Sequence, residues 1–320
     1  MSGTDTITLA AEQASAGHAD RLTPRRQIIA RLVRQVPAMI SLIVLILITA
    51  TCFAAPWFEH WLGTTAEAQN LFGRFQPPSA AHWLGTDSLG RDVFLRLLYG
   101  GQVSLIVGLT TAGFAAVIGT FIGLIAGFYR GIVDSLLMRL TDIVIALPLL
   151  PLLIVLAAVD LTKLGLSTDA AYAETTALYR IVVIIALVGW TTVARLVRAS
   201  TLTVRTRPYV TAATALGVRD AAILRRHILP NVVSPVIIST TLSIGTVILL
   251  ESVLSFLGLG IQPPVPSWGN MLTNAQALIW NAPWLAIYPG LAIFITVIAF
   301  NLLGDGLQQA LNPKSANRRT

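Results

Sequence analysis

Residues 209–233 read YVTAATALGVRDAAILRRHILPNVV, an interrupted, arginine-bearing phrase set between two long apolar stretches. Pro208, just ahead of it, suits the first turn of a helix, because its ring fixes φ near the helical value and its missing N–H is an orphan there anyway. Gly217 suits the position just past a helix end, where a left-handed backbone is cheap for glycine. The enclosed helix of about 9 residues rises about 13 Å, too little to cross a bilayer. Asp220 is placed to cap a second short helix through Leu224 to His227, with Pro230 after it. Helices this short do not hold alone in water, so the pair must be ordered by packing. Two uses fit: a knob for a partner's groove, with Ala212, Ala213, Thr214 and Ala215 allowing close approach, or a loop that only anchors the spans beside it.

The 320 residues are 55% hydrophobic and 12% charged, against roughly 25% charged in a soluble domain. Too few polar side chains remain to face water, which places the bulk of the chain in a membrane. The formal net charge of +7 first suggests nucleic acid, yet no basic stripe is interleaved with stacking aromatics, so no nucleic-acid partner is expected. Cys52 is the single cysteine and excludes an intramolecular disulfide. His18, His60, His82 and His227 lack metal-ligand spacing, so no metal site is expected. The polar leader ahead of residue 25 lacks the character of a cleavable signal and reads as a cytoplasmic tail.

A crossing helix needs about 20 mostly apolar residues. Six segments qualify: Gln35 to Phe58, Ser104 to Phe128, Leu136 to Val159, Tyr179 to Arg198, Val232 to Leu257 and Trp284 to Leu303. Basic residues then orient them. Seventeen of the 22 lie on one side: those of the leader from Arg21 to Arg34, Arg130 and Arg139, seven arginines from Arg195 to Arg226, and Lys314, Arg318 and Arg319. That side is expected to be cytoplasmic, with both termini on it. The division is a tail at 1–34, a first span at 35–58, an outer loop at 59–103, a five-helix core at 104–305 containing the link 199–230, and a tail at 306–320.

No phosphate-cradling G-x-x-x-x-G-K-[ST] loop is present, nor a G-x-S-x-G elbow or an H-E-x-x-H pair, so the chain is not expected to be an enzyme and any ATP hydrolysis belongs to another polypeptide. Glu251, an acid inside a span, costs about 2.5 kcal/mol or more unless paired or wetted; it either lines or gates a pathway or makes an interhelical hydrogen bond. Asp305, between Gly304 and Gly306, is read as an end cap or packing residue, with a place on the pathway as the alternative. Arg139 and Asp142, at i and i+3, are expected to pair. Thr86 or Asp87 can cap an amphipathic helix in the outer loop, with Val93, Phe94, Leu97 and Leu98 toward the membrane and Arg91, Asp92 and Arg96 toward water. Pro148 and Pro151 are expected to kink span three. The uncharged loop from Ile261 to Pro283, with Trp268 and Trp280, either lies at the interface or folds inward.

YVTAATALG followed by RRHILPN resembles the cytoplasmic EAA loop of ABC importer permeases, the segment that docks on the ATPase. Ala212, Ala213, Gly217, Leu229 and Pro230 match it, and Thr211 stands where the family carries its signature glutamate. HWLGTDSLGRDVFLRLLYGGQVSLIVG at 82–108, LSFLGLGIQPPVPSWGNML at 254–272 and YPGLAIFITVIAFNLLGDGLQQALNP at 288–313 narrow the likeness to the dipeptide/oligopeptide/nickel permeases, in their DppC/OppC-like branch. The resemblance implies an all-α, six-span type I importer (MetI-like) fold in the bacterial inner membrane. It also implies a heterodimer with a second homologous permease, two cytoplasmic ATPase subunits that use ATP and Mg, an extracytoplasmic solute-binding protein and a membrane lipid surround, with no cofactor on this chain. Docking on the ATPase then falls to Tyr209, Thr211, Ala212, Ala213, Gly217, Asp220, Leu229 and Pro230, and Asp87 and Arg91 are placed to meet the binding protein.

The leading expectation is a subunit that carries di- or oligopeptides. The alternatives are nickel or another small solute, a non-transporting scaffold, and an ion-driven secondary transporter. The last needs internal repeats and several intramembrane ionisable groups, and the chain offers one such acid and no repeat.

Overall fold

The computed structural model describes residues 24–311 except 172 and 274. The polar leader up to residue 23 and the basic tail from 312 lie outside the described residues. Besides the one-turn helices Thr168–Ala171 and Ala275–Leu278, the helices are α1 (Pro24–Val33), α2 (Val36–Phe53), α3 (Ala55–Leu62), α4 (Val93–Tyr129), α5 (Gly131–Ala146), α6 (Leu149–Ala157), α7 (Glu174–Arg205), α8 (Pro208–Ala215), α9 (Asp220–Phe256), α10 (Trp268–Met271) and α11 (Trp284–Leu311). Among the described residues no strand forms, only an isolated bridge between Thr86 and Asp92. The helices α2, α4, α7, α9 and α11 are each long and apolar enough to cross a membrane, and the bent pair α5–α6 brings the number to six where the two halves together count as one span. Large apolar side chains such as Ile43, Leu47, Val117, Phe121 and Phe294 face outward, an arrangement that lipid tolerates and water does not.

Several boundaries differ from the sequence expectation, each for a local reason. The first crossing stops at Phe53, because Pro56 opens the separate helix α3 at its own first turn. Trp57 and Trp61 stack there, and Phe58, Trp83 and Phe94 pack edge-on beside them, which makes α3 the interfacial element of this loop. The amphipathic helix expected within 82–101 does not form. Its second half is the start of α4, capped by Asp92, whose carboxylate accepts the Leu95 N–H at 2.9 Å. Arg96 and Asp92 face inward, 4% and 1% exposed, because each finds a polar partner nearby, the Asp87 carboxylate for Arg96 and the His82 ring Nδ1, at 2.9 Å, for Asp92. At 37 residues α4 is about 55 Å long and outruns the roughly 30 Å hydrocarbon core.

The third crossing breaks, with α5 and α6 meeting at 86°. Pro148 forces the preceding Leu147 to extended backbone (ψ 137°), which ends α5. Pro151 falls in the first turn of α6, where proline is tolerated, so one proline makes the break rather than two. Helix α9 begins twelve residues before the expected fifth span, and α11 runs on to Leu311.

Packing fixes the directions. Gly119, Gly123 and Gly127 of α4 lie against Trp190, Ala194 and Arg198 of α7 in the same order, so the two helices run parallel, backbone against backbone. A Cβ on Gly123 would stand 2.5 Å from the Ala194 carbonyl oxygen. Small residues at every fourth position permit this approach, as in membrane helix pairs generally. Gly304 and Gly306 of α11 likewise receive Leu242 of α9 and Ala38 of α2. The two described ends of the chain therefore come to one end of the bundle, the end that also carries α8.

Candidate functional site

Helix α8 has Arg207 as its N-cap residue and Pro208 at its start. It closes in a Schellman turn: the Gly217 N–H reaches the Thr214 carbonyl at 3.0 Å, the Val218 N–H reaches the Ala213 carbonyl at 3.1 Å, and Gly217 takes φ +74°. Val210 and Ala213 are buried against Phe128 of α4, Val193 and Val197 of α7 and Ile223, Ile228 and Val232 of α9. The opposite face stays open, with Tyr209, Thr211 and Ala212 exposed and Leu216 83% exposed. Ala213 thus faces inward and holds the helix down. Leu216 lies within YVTAATALG, but the sequence does not single it out, because it does not show which face of this short helix is buried. The Thr211 hydroxyl donates back to the Arg207 carbonyl at 3.3 Å.

Asp220 is not a cap. Arg219 is the N-cap residue, and Asp220 is the first residue inside α9, where its charge favours the helix N-terminus. No second short helix stands apart, because one π turn over Leu224–Ile228 joins this segment to the fifth crossing. The turn lets Ile223 and Ile228, five apart, both point inward at 0% exposure. Leu229 is half-buried and Pro230 exposed in the turn that follows. Above α8, Arg198 of α7 grips Asp134 of α5 with two hydrogen bonds of 2.5 and 2.7 Å. Asp142 pairs with Arg195 of α7, not with Arg139 on its own helix. The interhelical partner was invisible to a spacing rule.

In the middle of the bundle a cavity of about 580 Å³ opens beside the α5–α6 break, bounded by α4, α7, α9 and Asn301 of α11. Its polar lining is hydroxyl and amide, from Thr111, Thr191, Thr192, Ser239, Ser243 and Thr246 with Asn301, and no ionisable side chain lines it. The Thr111 hydroxyl is buried without a hydrogen-bond partner. Neither Glu251 nor Asp305 lies on this wall. Asp305 is exposed on α11 well before the helix ends at Leu311, so it caps nothing, and its flanking glycines do the packing.

Glu251, 0% exposed, accepts hydrogen bonds from Ser255 at 2.7 Å and from Ser104 of α4 at 3.1 Å. The two hydroxyl oxygens in turn accept the N–H groups of Ile261 (3.1 Å) and Trp268 (3.2 Å). The proline-rich loop therefore folds inward at α10. Trp268 is buried with its indole N–H on the Leu97 carbonyl at 3.0 Å, a Ser267–Asn270 capping box starts α10, and Trp280 stays outside, 93% exposed.

At the same end, Asp87 and Arg91 face each other at 2.7 Å, with side chains only 14% and 12% exposed. Asp87 also accepts the Leu89 and Arg91 N–H groups, so it organises a turn rather than starting a helix.

A helical knob rooted in three crossings, and between those crossings a mainly apolar cavity carrying a few hydroxyls and one amide, are the parts of a membrane permease. The chain belongs to the family described as binding-protein-dependent transport system inner membrane component, whose model matches residues 119–317; residues 23–78 match the N-terminal TM domain of oligopeptide transport permease C. It is 41% identical over 293 residues to the glutathione transport system permease protein GsiD of Pectobacterium atrosepticum, covering 91% of this chain and 92% of the relative. It is 38% identical over 275 residues to the dipeptide transport system permease protein DppC of Alkalihalophilus pseudofirmus, covering 86% of each. A solved structure of the inward-facing MetNI methionine ABC transporter shares the fold, with a TM-score of 0.54 at 18% identity over 68% of this chain and 97% of that one.

Proposed function

We propose that this chain forms one membrane half of an ATP-driven importer of di- or oligopeptides. Its partners are a second homologous permease, two cytoplasmic ATPase subunits and an extracytoplasmic solute-binding protein. ATP and Mg are used by the ATPase subunits, and this chain holds no cofactor. Helix α8 and both chain ends face the cytoplasm, in keeping with the arginines concentrated there.

The observation that carries this reading is the rooting of α8. Its buried face, Val210 and Ala213, is wedged among α4, α7 and α9, while Tyr209, Thr211, Ala212 and Leu216 are presented outward. A push on the exposed face is therefore delivered to three walls of the 580 Å³ cavity at once. Gly217 sets the exit of the knob, and Asp220, Leu229 and Pro230 set its junction with α9. In the cavity, hydroxyls exchange hydrogen bonds with peptide amides without a fixed charge to trap them. The two relatives named for glutathione and dipeptide transport support peptides as the cargo class.

The test is uptake of a labelled dipeptide into proteoliposomes holding the full complex. Uptake should require ATP and the binding protein together. Uptake by this chain alone, unaffected by ATP depletion, would replace the reading with an ion-driven carrier.

A further inference from the structure

At the end of the bundle opposite α8, a cavity of about 540 Å³ is lined by Arg74, Arg91 and Arg96 and by one acid, Asp87, with Glu67 a further acid near enough to act on Arg96. Asp87 is already committed: one oxygen accepts the Leu89 and Arg91 N–H groups at 2.8 and 3.0 Å, and the other holds Arg91 Nε at 2.7 Å. Arg96 Nε stands 3.6 Å from the same oxygen, beyond hydrogen-bond reach. Its Nη1 has no hydrogen-bond partner, although Arg96 is only 4% exposed. A buried guanidinium with an open donor is costly unless an anion completes it. The floor beside it, Val93, Leu278 and Leu285, is apolar. The volume lies within the roughly 300–1,000 Å³ of ligand sites.

We infer that this cavity is a carboxylate site: Arg96 Nη1 takes one carboxylate oxygen, Arg91 and Arg74 surround the charge, and the apolar floor accepts the carbon chain that bears it. Planar guanidinium groups match planar carboxylates, and one unpaired donor is satisfied by one carboxylate oxygen. The shared chemistry has two sources, the C-terminal carboxylate of a peptide or an acidic side chain of the protein that delivers it. The inference rests on the importer reading. If the wild-type complex shows no ATP-driven uptake, that reading fails; if it transports and the variants below behave as wild type, only this site fails.

The experiment has two arms, each on the full complex in nanodiscs, comparing wild type with Arg96→Gln. The first arm titrates alanylalanine and its C-terminal amide in the absence of the binding protein. The second measures the affinity of the binding protein. A loss of at least about tenfold for the free acid in the first arm, with the amide not binding, assigns the site to the peptide; an equal loss in the second arm alone assigns it to the protein. Changes below about twofold in both arms, with assembly and basal ATPase intact, overturn the inference. Should Arg96→Gln fail to assemble, Ser88→Glu carries the test, because Ser88 lines the cavity in the outer loop and the new carboxylate competes for Arg96. Affinities unaltered by Ser88→Glu in both arms also overturn it.

Discussion

Glu251 of α9 and Ser104 of α4 are joined by a 3.1 Å hydrogen bond, and the same serine oxygen receives the Trp268 backbone. The carboxylate thus fastens two crossings and, through the serines, the inward-folded loop. Glu251→Gln keeps one carbonyl acceptor and should leave assembly intact. Glu251→Leu strands two serine hydroxyls and should cost about 2 kcal/mol, read as a lower melting temperature of the detergent-solubilised complex. Full transport by Glu251→Gln would remove any need for a charge here, whereas lost transport in an assembled complex would give the carboxylate a role in the cycle.

Gly123 and Gly113 sit in the same helix with opposite surroundings. A Cβ at Gly123 would meet the Ala194 carbonyl at 2.5 Å, and one at Gly113 meets nothing within 4 Å. Gly123→Leu should therefore destabilise by about 3 kcal/mol or more, or block assembly, and Gly113→Ala should be neutral or stabilising by up to about 1 kcal/mol. Thermal melts of the two variants check the contrast.

Gly217 has open space around it but a left-handed backbone, φ +74°. Gly217→Val adds no clash, and its cost is about 1–2 kcal/mol of local backbone strain. The expected outcome is normal membrane insertion with uptake reduced more than ATPase activity, measured side by side in proteoliposomes. Equal retention of both would remove the turn from the coupling path.

The Leu216 side chain, on a residue 83% exposed, adds little to the fold it sits on. Leu216→Asp should leave the melting temperature of the isolated chain unchanged while weakening the ATPase complex by more than about 1 kcal/mol, as a central apolar contact does. Co-purification of the ATPase subunits at graded detergent concentration reads the difference.

Much of this was legible in the chain. Pro208 and Gly217 mark the ends of α8 because each is the cheapest residue for its backbone position, and apolar runs mark crossings because lipid leaves no alternative. What escaped depends on partners distant in sequence. Arg96 looks like a water-facing residue until Asp87 is brought beside it by the fold. Asp142 has a neighbour of opposite charge at i−3 and prefers one on another helix. The continuity of α9 rests on a π turn, which satisfies Ile223 and Ile228 together and leaves no signature in a 3.6-residue pattern. The glycines of α4 read as ordinary apolar filler, since their purpose appears only when the backbone of α7 is laid against them.

That last contact sets where the bundle can bend. Two parallel helices that touch main chain to main chain along three successive turns leave no gap between them, so α4 and α7 should move as a single beam. A push at its base should then travel the length of the beam, and the elbow at Leu147 and Pro148 on its flank is where the cavity wall should give. Widening or narrowing that cavity would in this sense be one joint turning against one stiff post.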